Sequence, residues 1–342
     1  MDVELLAYFL SVIVSFHILT QRRSAPSIIA WLLGLIVAPL ATSIIYMLVG
    51  RRKFNFNTLK SMPKMERTPN DLKALNHIDQ LLQNIGIAPA SGDNEIELIT
   101  SSTKAHKELI NSIKEAKYSI DIETYILKPD KIGKEIIGEL EKKAKEGVRV
   151  RVLLDAIGSL YLYFYRKPLK RLIDSGGEVI FFMPPNFLLF RWLINLRDHR
   201  KIYLFDREIL YSGGMNLAYE YLGEDNHPKV WKDLLFKAKG TIVYRYLSVF
   251  EADFSFAKNI EYIAPEIPLK REIFKGAILQ PVPSGPDMEK DTLLESILEA
   301  ISKAKERVWI VTPYLIIDEP LFEAFKIASH RGVDIKIITP LK

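Results

Sequence analysis

Ser112-Ile-Lys-Glu-Ala-Lys-Tyr-Ser-Ile-Asp-Ile-Glu-Thr-Tyr125 has a counterpart in Ile301-Ser-Lys-Ala-Lys-Glu-Arg-Val-Trp-Ile-Val-Thr-Pro-Tyr314. A helix-period stretch follows each, and then a β-branched run: Lys145-Glu-Gly-Val-Arg-Val-Arg-Val-Leu153 in one, His330-Arg-Gly-Val-Asp-Ile-Lys-Ile-Ile338 in the other. Two helix–strand–helix–strand units in the same order predict a duplicated α/β domain; two generic units alike only in composition are the alternative. The first unit reads as strand Ile96–Thr100, helix Thr103–Ala116, strand Ser119–Tyr125, helix Gly133–Glu146 and strand Val148–Asp155, with Gly147 ending the second helix. It continues for about a hundred residues past Leu154, whereas the second copy stops at Lys342, just after its last strand. Gly332 follows Gly147 by 185 residues, so a group placed after the first unit would recur at that offset.

A chain of 342 residues can bury a sizeable core, and a charged fraction of 26% argues against wholesale disorder. The absence of cysteine excludes a disulfide framework, thiolate metal sites and a cysteine nucleophile. A net charge of +5 over this length is weak support for a polyanionic partner, and no nucleic acid is expected.

Two apolar runs, Leu5–Thr20 and Ser27–Gly50, are read as transmembrane helices over about 5–22 and 27–50. A signal peptide is disfavoured by Asp2, Glu4 and the Gln21-Arg22-Arg23 loop. The short loop carries Arg22 and Arg23 and the exit segment Arg51, Arg52, Lys53, Lys60, Lys64 and Arg67, a basic collar that by positive-inside counting would place the remainder of a multi-pass protein in the cytoplasm and could attract anionic headgroups. The expected plan is a membrane hairpin (1–53), a linker (54–93), a first α/β domain (94–270) and a partial second (271–342).

The chemistry is concentrated in Asp198-His-Arg-Lys-Ile-Tyr-Leu-Phe-Asp-Arg-Glu-Ile-Leu-Tyr-Ser-Gly-Gly-Met-Asn216. Ile202–Phe205 and Glu208–Ser212 read as strands around a turn at Asp206-Arg207. His199 and Lys201 are two apart and share a strand face. An imidazole beside an ammonium suits a phosphate diester, the lysine binding phosphoryl oxygens while the histidine attacks phosphorus. Asp206 could orient the ring or pair with the lysine. Gly213 and Gly214 permit a sharp turn or a ligand's close approach, and Asn216 could hydrogen-bond back into the site. Against this, a histidine beside charged residues in a strand is often a structural hydrogen-bonder. No metal or cofactor is expected. The aromatic and basic stretch Leu160–Leu196 suggests a surface meeting lipid headgroups; a strand and helix core around Pro184-Pro185 is the alternative.

The pattern His-x-Lys-x4-Asp-x6-Gly-Gly-x-Asn resembles the HKD signature of the phospholipase D superfamily, specifically bacterial-type cardiolipin synthases. Asn195-Leu-Arg-Asp198, Glu220-Tyr-Leu-Gly223, Trp231-Lys-Asp233 and Ser284-Gly-Pro-Asp287 match as well, as do Tyr125 with Asp130 and Gly133, Gly147-Val148, Thr312-Pro-Tyr314, and the N-terminal Ala30-Trp31, Pro39 and Ile45–Arg51. The resemblance covers nearly the whole chain. It implies a mixed sheet flanked by helices and a metal-free phosphatidyl transfer that converts two phosphatidylglycerols into cardiolipin and glycerol. His199 would be nucleophile or general acid, Lys201 would steady the phosphoryl group, and a phosphohistidine intermediate would form. Family sites use two HKD motifs; the second is expected near position 384, beyond Lys342. His17, His77, His106, His227 and His330 have no lysine two residues on followed by the aspartate. The expectation is therefore a C-terminally truncated synthase with little activity by itself. The alternatives are an inactive lipid- or partner-binding membrane protein, or a phospholipase D-type phosphodiesterase built as a homo-oligomer from two single-motif chains.

Overall fold

The computed structural model describes residues 3–21, 23–50, 71–72, 75–185, 195–266, 276–288 and 290–340. Arg22, the collar from Arg51 to Arg67 and residues 54–70 and 73–74 of the expected linker lie outside the described residues.

The N-terminal fifty residues correct the expected transmembrane hairpin. The first apolar run forms α1 (Val3–Thr20), and the second is divided into α2 (Ala25–Val37) and α3 (Pro39–Val49). Pro39 has no N–H to continue the ladder, and Ala38 before it takes φ −142° and ψ 74°, outside the helical region. At 1.5 Å per residue the three helices reach roughly 27, 20 and 16 Å, against about 30 Å of hydrocarbon. Among the described residues no helix is long and apolar enough to cross a membrane. The three instead pack around Val14, Ile18, Leu35 and Tyr46, with the Tyr46 hydroxyl 2.7 Å from Nδ1 of His17. The hairpin argument for a multi-pass protein with a cytoplasmic catalytic part falls with the spans.

Beyond α4 (His77–Asn84) the chain builds an eight-stranded sheet. Its elements run β1 (Ser91–Ile99), α5 (Ser102–Glu115), β2 (Ser119–Thr124), α6 (Lys131–Lys145), β3 (Arg149–Asp155), α7 (Leu160–Phe164), α8 (Lys170–Asp174), β4 (Glu178–Phe182), β5 (Ile202–Phe205), β6 (Ile209–Gly213), α9 (Tyr219–Leu222), β7 (Leu235–Gly240), α10 (Thr241–Lys258) and β8 (Ala277–Leu279). The strand order is β4-β3-β2-β5-β6-β7-β1-β8; β2, β3 and β4 are parallel and the remaining neighbours antiparallel. Then α11 (Thr292–Lys303), β9 (Arg307–Val311), α12 (Glu319–His330) and β10 (Asp334–Ile338) repeat the order of α5-β2-α6-β3, again with the two strands parallel.

Ser91–Asp93, expected within the linker, begin β1 instead. The polar Ser-Gly-Asp-Asn string reads as loop, but these side chains are buried on partners: Asn94 accepts from the Ile242 amide at 2.8 Å and Asp93 from the Thr241 hydroxyl at 2.7 Å, satisfying the start of α10.

Period-two alternation sorts the sheet into two cores. Ile120, Ile122, Val150, Val152, Tyr203 and Phe205 join Leu109, Ile113, Ile136 and Leu140 of α5 and α6. Leu153, Ile202 and Leu204 join Leu247, Phe250 and Phe254 of α10 on the other face. Burial of each such side chain stabilises the fold by about 1.5–3 kcal/mol. Just before β5, His199 and Lys201 share the parity of Tyr203, while Arg200 shares that of Ile202 and is aimed at α10.

Candidate active site

A cleft of about 440 Å³ opens where β5 begins, lined by His199, Lys201, Ser212, Gly213, Tyr246 and the Pro281–Asp287 segment among others. The His199 ring stacks on Tyr125, which follows β2, with centroids 3.9 Å apart and planes 20° apart. The Lys201 ammonium sits 5.7 Å from the same ring centroid and donates to the His199 carbonyl at 2.5 Å. Burial lowers the His199 pKa below the ordinary imidazole value, with Lys201 adding to the effect and Asp198 opposing it. Burial also lowers Lys201, against the pull of Asp198, Asp233, Glu123 and Asp155.

Asp206 is not brought to this pair. It lies at the other end of β5, roughly 16 Å of strand beyond Lys201. There its carboxylate accepts from the backbone amides of Lys117, Tyr118 and Ser119 at 2.8, 2.7 and 2.9 Å, tying the hairpin tip to the α5–β2 turn. Asp206 and Arg207 both have positive φ, 52° and 57°, as the tight hairpin turn requires. Asp206→Ala is expected to destabilise the fold by about 1–3 kcal/mol, read as a lower denaturation midpoint, with kcat of the folded fraction unchanged.

The remaining motif residues shape the floor. Gly213 has φ 145° with Leu235 Cα 3.0 Å from where a Cβ would stand, and a Cβ at Gly214 would overlap the Asp233 carboxylate. Burial raises the Asp233 pKa, while nearby Lys201 opposes this. Asn216 accepts from the Ile126 amide at 3.1 Å and the Thr124 hydroxyl at 3.4 Å, holding the backbone just after Tyr125 and the side chain just before it.

Several residues at the site were assigned no role from the sequence. Asp155 at the end of β3 accepts from the amides of Ile157, Gly158 and Asp198, so it holds the backbone one residue before the histidine. Arg200 pairs with Asp253 of α10 at 3.0 Å and with Asp287 at 2.9 Å, and donates to the Ser284 carbonyl at 3.2 Å. Burial disfavours its charge, but Asp287, Asp198 and Glu123 more than compensate and raise its pKa. Carboxylate oxygens of Glu123, Asp198 and Asp253 lie within 4.8 Å of one another and face the buried Arg200 cation, which offsets their charge. The Arg200 guanidinium already bonds Asp253 within this group. The signal for Arg200 was its place between His199 and Lys201, which sends its side chain to the opposite face.

A histidine and a lysine on one face at the rim of a mixed sheet, with a Gly-Gly floor, define a phospholipase D-like enzyme. A family model for the cardiolipin synthase PLD-like domain matches residues 109–253 and 297–342, and a phospholipase D-nuclease N-terminal model matches residues 9–51. Cardiolipin synthase 2 of Staphylococcus epidermidis is 32% identical, the alignment covering 98% of this chain and 73% of that protein. Cardiolipin synthase 1 of Bacillus cereus is 30% identical over 96% of this chain and 69% of its own length. The crystal structure of phosphatidylserine synthase from Haemophilus influenzae aligns with a TM-score of 0.56 at 18% identity, over 77% of this chain and 66% of that one, a likeness of fold. The chain belongs to the cardiolipin synthase family of phospholipase D-superfamily phosphatidyltransferases.

Proposed function

We propose that the cleft at His199 transfers a phosphatidyl group from one phosphatidylglycerol to another. The carrying observation is a single face on which a partly buried imidazole of lowered pKa lies beside the Lys201 ammonium. A lowered pKa leaves His199 neutral near pH 7, the form that attacks phosphorus, while Lys201 holds the non-bridging oxygens. The P–O bond to glycerol breaks as the N–P bond forms, and glycerol leaves with a proton from a second imidazole. That imidazole, now neutral, accepts the proton of the incoming phosphatidylglycerol hydroxyl. The new P–O bond frees His199 and completes cardiolipin.

The second imidazole would come from a matching half. His106 pairs with Glu135 on the α5–α6 side, His227 stacks edge-on with Tyr219, and His17 belongs to the N-terminal helices. A second copy of the chain is one source, and turnover that rises with the square of chain concentration marks it. Conversion of labelled phosphatidylglycerol to cardiolipin and glycerol tests the reading; an unaltered yield from the His199→Ala protein would sink it.

A lipid surface suits the exposed apolar residues. Val12, Phe16, Ile36 and Val37 on α1 and α2 are at least 70% exposed. A second patch around α7 exposes Tyr161 and Phe164 beside Arg166, Lys167, Lys170 and Arg171. Rings that settle at headgroup depth, next to cations that meet anionic lipid, favour an orientation with the cleft facing the bilayer. Phe187 and Trp192, part of the same expected surface, lie outside the described residues. Exchanging Tyr161 and Phe164 for serine is expected to weaken sedimentation with phosphatidylglycerol vesicles about tenfold, at roughly 1.4 kcal/mol lost. Unchanged sedimentation would remove α7 from the contact.

A further inference from the structure

The His199 ring is held in an unusual way. Among the described residues no side chain hydrogen-bonds its ring nitrogens, and its defined neighbour is the face of Tyr125. That face is itself braced from three sides. Ser159 donates its hydroxyl to the Tyr125 carbonyl at 3.1 Å and accepts from the Leu127 amide at 2.9 Å. Asn216 accepts from the Ile126 amide, in the peptide that follows Tyr125, and from the Thr124 side-chain hydroxyl. Gly158 leaves the space in which the ring lies: a Cβ there would stand 2.7 and 2.8 Å from Tyr125 Cδ2 and Cε2 and overlap its carbonyl oxygen. A ring packed this closely against glycine, with the peptide that follows it held at both its carbonyl and its amide, has little freedom to follow the imidazole; the imidazole must follow the ring.

We propose that Tyr125 is the positioning residue for His199, its ring face setting the imidazole plane and stabilising the protonated form of the imidazole. The inference rests on the reading of His199 as the reacting base and adds how that base is oriented. A π-face attracts a cation above it, and an imidazolium stacked flat is such a cation. The charged and titratable groups around the pair come from four elements. Lys201 and Arg197 oppose protonation of His199 and Asp198 favours it, all three on its own segment. Asp155 of β3 and Tyr314, in the loop after β9, act on Tyr125 itself. Asp233, before β7, acts on Lys201. Among these groups Tyr125 is the aromatic face stacked on the His199 ring. Its phenol is shifted upward by burial, so the ring stays neutral while the histidine titrates.

The experiment titrates the six histidines of the full chain by NMR on isotope-labelled imidazole, with His199→Gln identifying the signal. It needs no turnover, so its failure is distinct from a failure of the transfer reaction. Tyr125→Phe keeps the face and should leave the His199 pKa unchanged. Pentafluorophenylalanine at position 125 keeps shape and burial but reverses the ring quadrupole, and should lower the His199 pKa by about half a unit. Tyr125→Leu should remove the upfield ring-current displacement of the His199 signal. An unchanged pKa with the fluorinated ring, or an unmoved His199 signal in the leucine protein, would overturn the proposal.

Discussion

His199→Ala is expected to reduce phosphatidyl transfer by about 10⁴-fold or more, since in the proposed mechanism it removes the atom to which phosphorus becomes bonded. Lys201→Ala should cost roughly 10²–10³, the range for deleting one donor to a developing phosphoryl charge. Lys201→Arg would restore part of that, because charge returns without the compact ammonium that fits beside the Tyr125 ring. The pH dependence separates nucleophile from general acid. A nucleophile must be neutral, so kcat/KM rises with pH through the free-enzyme pKa, and burial together with Lys201 places that pKa below the ordinary imidazole value. A fall in kcat/KM as pH rises through the His199 pKa would assign His199 the opposite role, that of general acid.

The second large effect is on stability. Arg200→Ala removes a cation 3.0 Å from Asp253 and 2.9 Å from Asp287, both carboxylates nearly inaccessible to solvent. Stripping the cation from a buried pair costs about 3–5 kcal/mol, and here two pairs share it. The guanidinium denaturation midpoint should fall accordingly, and Arg200→Lys should recover a minority of the loss because an ammonium cannot fork to both carboxylates. Adding Asp253→Asn and Asp287→Asn to the alanine protein should restore stability, since neutral amides no longer need the charge. A midpoint in Arg200→Ala equal to that of the parent would refute this account.

Much of the sheet was legible because apolar runs announce it. Ile-Tyr-Leu-Phe reads as a buried strand and is β5, all four residues buried. Period two places His199 and Lys201 on one side, and the structure sets both beside the Tyr125 ring. Asp206 was misleading for the same reason. Its fixed spacing from the lysine suggested a catalytic neighbour, but a strand carries it away from the pair at 3.3 Å per residue. Tyr125, Asp155 and Asp287 reach the site only through tertiary folding, so no local period could assign them roles. The apolar runs at the N-terminus satisfied a composition rule for spanning helices while Pro39 divided the longer of them. Mean hydropathy measures what a helix would accept as solvent and carries no information about where the helix stops.

Adjacent residues of the motif therefore serve two different reference frames. In the proposed mechanism His199 and Lys201 answer to the phosphate, whereas Arg200 between them is fastened to α10 and to Asp287 at the entrance of the second unit. A shift of the Ser284–Asp287 segment is passed through one peptide unit to the reacting imidazole without touching it. The two halves are registered against each other at the point of chemistry, and tolerance to drift between them is smallest there.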